Sequence, residues 1–313
     1  MKFRKPIFWD KKLGLVAILL YPITLLIIFL NLLRKELTKS KKFEIPIICV
    51  GNIYIGGTGK TPVSIHLAKE LLKLKKKPII LKKYYSSHND EYNLIKNNFK
   101  NLAICEDRVK FLKKINKSDF DTVILDDGFQ DLRIKKDINI ICFNQNQLIG
   151  NGLTLPSGPL RENLSSLKNA DIIIINGKKD KNFEEKLIRI NKNLEIFYST
   201  YKPINLDQFK NVKLMAIAGI GNPENFFQLL NENNLKVEKK IALPDHYNFS
   251  KIEMEKLINE AESNKYKIIM TEKDFYKINH FNFQKINYLK VSLELEKKEI
   301  FYEKICKIYD KNI

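Results

Sequence analysis

Between Gly56 and Thr61 the chain reads Gly-Gly-Thr-Gly-Lys-Thr, a combination suited to holding a nucleoside triphosphate. Glycines let main-chain N–H groups approach phosphate oxygens that Cβ atoms would obstruct, and a helix starting at the loop adds its positive dipole end. Lys60 would then balance charge on the β- and γ-phosphates, and the Thr61 hydroxyl would face Mg²⁺. Tyr54 stands where the general G-x-x-x-x-G-K-[ST] pattern begins with glycine. Downstream, Thr122-Val123-Ile124-Leu125 ends in Asp126-Asp127-Gly128, which delivers two carboxylates to the end of an apolar run, where a metal-holding aspartate belongs. Of the 4 histidines, His246, in Leu243-Pro244-Asp245-His246-Tyr247 ahead of a helical pattern, is the best placed for chemistry.

These groups work only if regular elements hold them. The run Glu44–Ile53, rich in β-branched residues, predicts a buried parallel strand ahead of the loop. After it, Val63, Leu67, Leu71 and Leu74 share one face of a predicted helix, so strand, glycine loop and helix follow in the order a phosphate loop requires. Further strands are predicted at Pro78–Leu81, Leu102–Ile104, Ile138–Phe143, Asp171–Ile175, Lys213–Ala218 and Lys267–Met270. Helical patterns such as Phe183–Ile190 and Lys251–Asn264 separate them. That alternation predicts an α/β fold with a largely parallel sheet. A junction around Pro203 divides it into a P-loop domain over 43–203 and a smaller α/β lobe over 204–313. In that lobe Ala218-Gly219-Ile220-Gly221-Asn222-Pro223 lacks the full dinucleotide fingerprint and reads as a strand-to-helix turn.

Residues 1–42 form a third segment. From Gly14 to Leu33 no charge interrupts an apolar run of the length that crosses a hydrocarbon core as a helix. Lys2, Arg4, Lys5, Lys11 and Lys12 precede it, Arg34, Lys35, Lys39, Lys41 and Lys42 follow it, and Trp9 sits at the expected interface. Basic residues on both flanks give no orientation, so a spanning helix and one lying in a single leaflet both fit. A cleaved signal peptide fits less well, because the run is long and no small-x-small site follows. The 55 Lys and Arg against 36 Asp and Glu, net +19, suggest attraction to an anionic membrane surface. Without a lysine stripe interleaved with aromatics they do not point to nucleic acid. Cys49, Cys105, Cys142 and Cys306 are isolated, as expected of reduced thiols in a cytosolic setting with no zinc site or disulfide framework.

Taken in chain order, GNIYIGGTGKTP from Gly51, Asp90-Glu91, Asp107-Arg108, LDDGFQ from Leu125, GPLRE from Gly158, AGIGNPENFF from Ala218, PDH from Pro244 and TEKD from Thr271 resemble the tetraacyldisaccharide 4′-kinase family. The resemblance covers nearly the whole chain. It implies ATP-dependent phosphorylation of the 4′-hydroxyl of a tetraacylated glucosamine disaccharide 1-phosphate at the cytoplasmic face of the inner membrane, in lipid A biosynthesis. Gly56, Gly57, Thr58, Gly59, Lys60 and Thr61 would bind ATP, and Thr61, Asp126 and Asp127 would hold Mg²⁺. Asp90 would act as base on the sugar hydroxyl, polarised by His246, with Lys60 and Asp127 completing the catalytic set. Glu91, Arg108, Gln130, Arg161 and Glu162 would form the phosphate and substrate environment.

The chain departs from the family pattern at three places. Lys83-Tyr84-Tyr85 replaces a glycine-bearing stretch, Asn89-Asp90-Glu91-Tyr92 replaces G-D-E-P, and Asp131 stands where histidine usually follows DDGFQ. A second reading, a membrane-associated P-loop ATPase acting as a targeting or partitioning switch, would also use GGTGKT. Such ATPases usually carry lysine before the glycine pair, where this chain has Ile55.

Overall fold

The computed structural model describes residues 6–9, 14–245 and 247–310. In chain order its first elements are helix α1 (Leu15–Leu37), strand β1 (Ile47–Gly51), α2 (Lys60–Lys73), β2 (Pro78–Lys83), α3 (Asn89–Asn98), β3 (Leu102–Cys105), α4 (Arg108–Lys114), β4 (Thr122–Asp126) and β5 (Ile138–Asn144). Then come β6 (Ile172–Asn176), α5 (Lys181–Ile190), β7 (Glu195–Pro203), β8 (Leu214–Ala218), α6 (Pro223–Glu232) and β9 (Val237–Ala242). The last are α7 (Lys251–Ser263), β10 (Lys267–Thr271), α8 (Glu272–Ile278), β11 (Ile286–Leu289), β12 (Val291–Leu295) and α9 (Lys298–Asp310). The chain divides into two units. The larger comprises Lys5–Tyr84, Asn101–Thr200 and Leu295–Ile313, and the smaller is built from Tyr85–Lys100 and Tyr201–Glu294.

In the larger unit β3-β2-β4-β1-β5-β6-β7 run as parallel neighbours in one sheet. Every residue of β1 and β4 is buried, the condition expected of central parallel strands covered on both faces. β1 pairs with β4 from Ile47↔Val123 to Val50↔Asp126, so the glycine loop after β1 and the two aspartates at the end of β4 lie at the same sheet edge. Carboxyl ends of adjacent parallel strands are where α/β sheets bind ligands. On α2, Val63, Leu67 and Leu71 are buried as predicted, whereas Leu74 is exposed at the helix end.

α1 lies along the larger unit by one narrow stripe. Ala17 and Thr24, two turns apart on one face, are buried, while Leu19, Leu26, Phe29 and Leu30 are exposed. Thr24 Oγ1 lies 3.2 Å from the carbonyl oxygen of Thr154 and 2.9 Å from Ser157 Oγ, and it accepts the Ser157 N–H at 3.1 Å. Trp9 Nε1 donates to the Pro156 carbonyl at 3.0 Å. The middle of the apolar helix is therefore tied to the 154–157 loop.

The smaller unit holds a four-stranded parallel sheet, β11-β10-β8-β9. Gly219 to Asn222 turn the chain from β8 into α6, as predicted. A single boundary at 203 misses two segments. α3 leaves the larger unit's chain run to pack on α8 within the smaller unit. α9 returns to the larger unit, where Phe301 packs edge-on against Phe197 at 5.3 Å and Tyr309 Oη lies 2.6 Å from Thr122 Oγ1. Packing of apolar faces across long sequence separations decides both, and periodicity along the chain does not report it.

Candidate active site

The larger unit shapes its loop by main-chain strain that only glycine tolerates and by one buried amide. Gly56 (φ +109°) and Gly59 (φ +89°) lie in the left-handed half of backbone space, and a Cβ on Gly56 would meet nothing within 4 Å. Gly59 is the N-cap of α2 and brings no side-chain cap, which leaves first-turn N–H groups to an anion. Asn52, fully buried, donates from Nδ2 to Thr58 Oγ1 at 3.0 Å and to the Gly56 carbonyl at 3.3 Å. Gln130 Nε2 in turn donates to the Asn52 carbonyl at 2.9 Å. The GPLRE segment adds a short β-pairing: Ile55 N–H donates to Pro159 O at 2.9 Å, and Arg161 N–H to Ile53 O at 2.7 Å. Tyr54 bridges Leu160 within that pairing and is fully buried, which explains why this position needs no glycine: it is extended backbone.

Asp126 and Asp127 serve opposite sides of the loop. Asp126, fully buried, accepts Thr61 Oγ1 at 3.0 Å and Lys82 Nζ at 2.5 Å on Oδ2, and Ser64 Oγ at 3.0 Å on Oδ1. Asp127, held at φ +57°, turns its carboxylate to the cations. Arg161 reaches Oδ1 at 3.0 Å and Oδ2 at 3.1 Å, and Lys60 lies at 3.6 Å. Burial works against ionisation of Asp127, yet Lys60 and Arg161 outweigh it and hold the carboxyl well below the usual range. Two cations are thus gathered at the helix start with one carboxylate offsetting them.

Arg108 lies beneath this turn: buried, it donates to the carbonyl oxygens of Asp126 at 2.7 Å and Asp127 at 3.1 Å. The structure thus gives Arg108 a backbone-holding place at the turn. Arg108→Ala is expected to cost roughly 2–4 kcal/mol, read as a lower denaturant midpoint. Both bonds come from the single nitrogen Nη2, and an ammonium also carries several donors, so Arg108→Lys is expected to recover part of that loss. Glu162 lies beside Gln130, and burial pushes its carboxyl up against the lowering effect of that hydrogen bond. Asp131 is held by Arg133 through two 3.0 Å contacts.

The smaller unit gathers a second charged cluster. Asp90, in the first turn of α3, is 4% exposed and accepts the Glu91 N–H at 2.9 Å. Lys273 and Lys277, one turn apart on α8, bring Nζ to 3.4 and 3.5 Å from Asp90 Oδ2. Lys273 also meets Glu91 at 3.5 Å and Asp245 at 3.1 Å. Burial disfavours its charge, but Asp245, Glu91 and Asp90 outweigh that and push its pKa above the ordinary lysine range. Asp274, fully buried, accepts the Gly219 N–H at 2.8 Å, Thr271 Oγ1 at 2.7 Å and Lys277 Nζ at 2.7 Å. The motif TEKD therefore ties the glycine turn after β8 to the lysines around Asp90. His88 sits 3.7 Å from Glu91 and stacks near Tyr85. His246 lies outside the described residues.

Sequence reasoning missed Asn52, Ser64, Lys82, Lys273 and Lys277 as members of these clusters. For the last two, TEKD was the available signal. Asn52 stands inside GNIYIGGTGKTP, which was its signal, and Lys82 had none beyond its place near the end of β2.

A family profile described as tetraacyldisaccharide-1-P 4′-kinase matches residues 16–310. A tetraacyldisaccharide 4′-kinase of Pelagibacter ubique is 39% identical over 100% of both chains. One of Rickettsia typhi is 33% identical over 98% of this chain and 99% of its own. Among solved structures, LpxK from Aquifex aeolicus in complex with ATP covers 94% of this chain and 99% of its own, with a TM-score of 0.70 and 24% identity.

Proposed function

The chain belongs to the tetraacyldisaccharide-1-P 4′-kinase family and is a lipid A biosynthetic kinase; from that premise we propose how its residues divide the work. ATP, which the Aquifex relative holds, is bound by the main chain of Gly56–Thr61 in the larger unit. The observation that carries this is the glycine loop at an uncapped helix start with Lys60 and Arg161 drawn to it. On nucleotide binding both cations exchange Asp127 for phosphate oxygens, and Asp127 keeps them aimed there beforehand.

Thr61 and Asp126 fit Mg²⁺, since hydroxyl and carboxylate oxygens are the hard donors this ion takes, shared with phosphate oxygens. When bound, the ion neutralises charge on the transferring phosphoryl group. Lys82 offsets the buried charge of Asp126, and Ser64 fixes its second oxygen, so the carboxylate needs little rearrangement. In the smaller unit Asp90 receives the proton of the 4′-hydroxyl. Lys273 and Lys277 hold its Oδ2 in one orientation. Glu91 acts through Lys273, Gln130 through Asn52, and Glu162 through Gln130.

The exposed apolar face of α1 lies in the inner membrane at its cytoplasmic face. The Thr24 link supports a helix in one leaflet: a span at right angles would carry the 154–157 loop into the hydrocarbon layer. Cysteines introduced as Lys2→Cys and Lys39→Cys are expected to be shielded alike from an impermeant thiol reagent outside intact spheroplasts, and labelled alike after lysis. Labelling of one alone before lysis would show a crossing helix.

The assay for the whole reading uses purified protein, ATP, Mg²⁺ and tetraacyldisaccharide 1-phosphate, with mass spectrometry of the lipid. The expected product carries one added phosphate. ATP hydrolysis with unmodified lipid would favour a switch ATPase instead.

A further inference from the structure

Beside Asp90 the smaller unit opens a cavity of about 680 Å³, within the size range of small-molecule sites. Its lining is unusual in composition: 6 of its 12 residues are asparagines, namely Asn89, Asn93, Asn97, Asn248, Asn279 and Asn282. Asn89, Asn93 and Asn97 recur every fourth position on α3, so they stand one above another on one face. Across from them lie Tyr276 and Lys277 of α8 and the turn at Asn279 and Asn282, with Asn248 on the loop before α7. Among the described residues the side chains of Asn89, Asn93, Asn248 and Asn279 make no hydrogen bond, although each carries two donors and an acceptor.

A carboxamide can donate to or accept from a hydroxyl, so a wall of carboxamides suits a neutral polyol bearing amides. A phosphate would draw on free positive charge, of which this lining has little. The lining offers one lysine, and that lysine is already engaged by Asp90 and Asp274. Asp90 at the wall marks the end at which a hydroxyl loses its proton.

We infer that this cavity is the binding subsite for the sugar ring that carries the accepting 4′-hydroxyl. Its ring hydroxyls and amide are read by the Asn89–Asn93–Asn97 face and by Asn279, while the phosphate at the other end of the disaccharide binds elsewhere. The inference rests on the reading of Asp90 as the proton acceptor.

The test is steady-state kinetics of Asn93→Ala/Asn279→Ala with tetraacyldisaccharide 1-phosphate, with Asp90→Asn assayed in parallel. Asn93 is exposed on a helix where alanine is the better helix former, so its replacement does not threaten folding. KM for the lipid is expected to rise about tenfold or more, with KM for ATP within about twofold of the parent. A second readout needs no turnover: the glucosamine disaccharide with N-acetyl groups in place of its acyl chains, titrated by NMR, should bind the parent and lose affinity in the double variant, with or without its 1-phosphate. An unchanged lipid KM together with an inactive Asp90→Asn would overturn the subsite and leave the role of Asp90 standing. A rise confined to KM for ATP would also overturn it, by assigning the amides to the nucleotide base. Full activity of Asp90→Asn would instead sink the reading on which the inference rests.

Discussion

Lys60→Ala is expected to lower kcat/KM for phosphoryl transfer by at least about 10³-fold, while the protein remains folded. Lys60 is only 12% exposed on its side chain and sits 3.6 Å from Asp127, so its removal does more than delete a positive charge from the loop. It leaves Asp127 with Arg161 as its remaining ion-pair partner at this end of the loop and a half-buried carboxylate facing incoming phosphate oxygens. The loss should therefore exceed that of a hydrogen-bond donor alone, which is typically about 10²–10³. It should also be partly relieved when Asp127→Asn is added. A double-mutant cycle on kcat/KM reads this directly. Strictly additive effects would show that Lys60 and Asp127 do not act on the same phosphate. Binding of a nonhydrolysable ATP analogue, followed by calorimetry, should weaken in Lys60→Ala and recover in part in the double variant.

Asp90→Asn is expected to lower kcat by roughly 10²–10⁴ with KM for ATP nearly unchanged. The amide keeps the shape and can still meet Lys273 or Lys277 through its oxygen, but it has no basic site for the proton of an attacking hydroxyl. Folding should tolerate the change, because Lys273 retains Glu91 and Asp245 and Lys277 retains Asp274. A thermal midpoint close to the parent, together with a collapsed kcat, would separate chemistry from stability. An unchanged kcat would mean that a different group takes the proton.

Much of the larger unit's site was legible because its chemistry is local in sequence. The glycines, Lys60 and Thr61 fall within six consecutive residues, and β1 and α2 announce themselves by a β-branched run and by a helical apolar face. Asp126 and Asp127 follow a strand whose place beside β1 brings them to the same sheet edge. The resemblance gave Arg108 a place in the phosphate and substrate environment; the fold adds that its buried guanidinium donates to two carbonyl oxygens, which no motif announces. Tyr54, which departs from the general pattern in sequence, is a buried residue bridged to Leu160.

By itself the sequence determined the types of most elements, the phosphate loop, the apolar N-terminal helix and, through eight motifs in order, the family. These are properties of short segments, set by backbone conformational preference and by which face of one element is apolar. Only the tertiary structure decided that α3 belongs with α8, that α9 returns to the larger unit, and that Lys273 and Lys277 close on Asp90 across more than 180 residues of chain. A lysine's partner is chosen by which carboxylates share its low-dielectric surroundings once apolar faces have packed, and no local pattern encodes that choice.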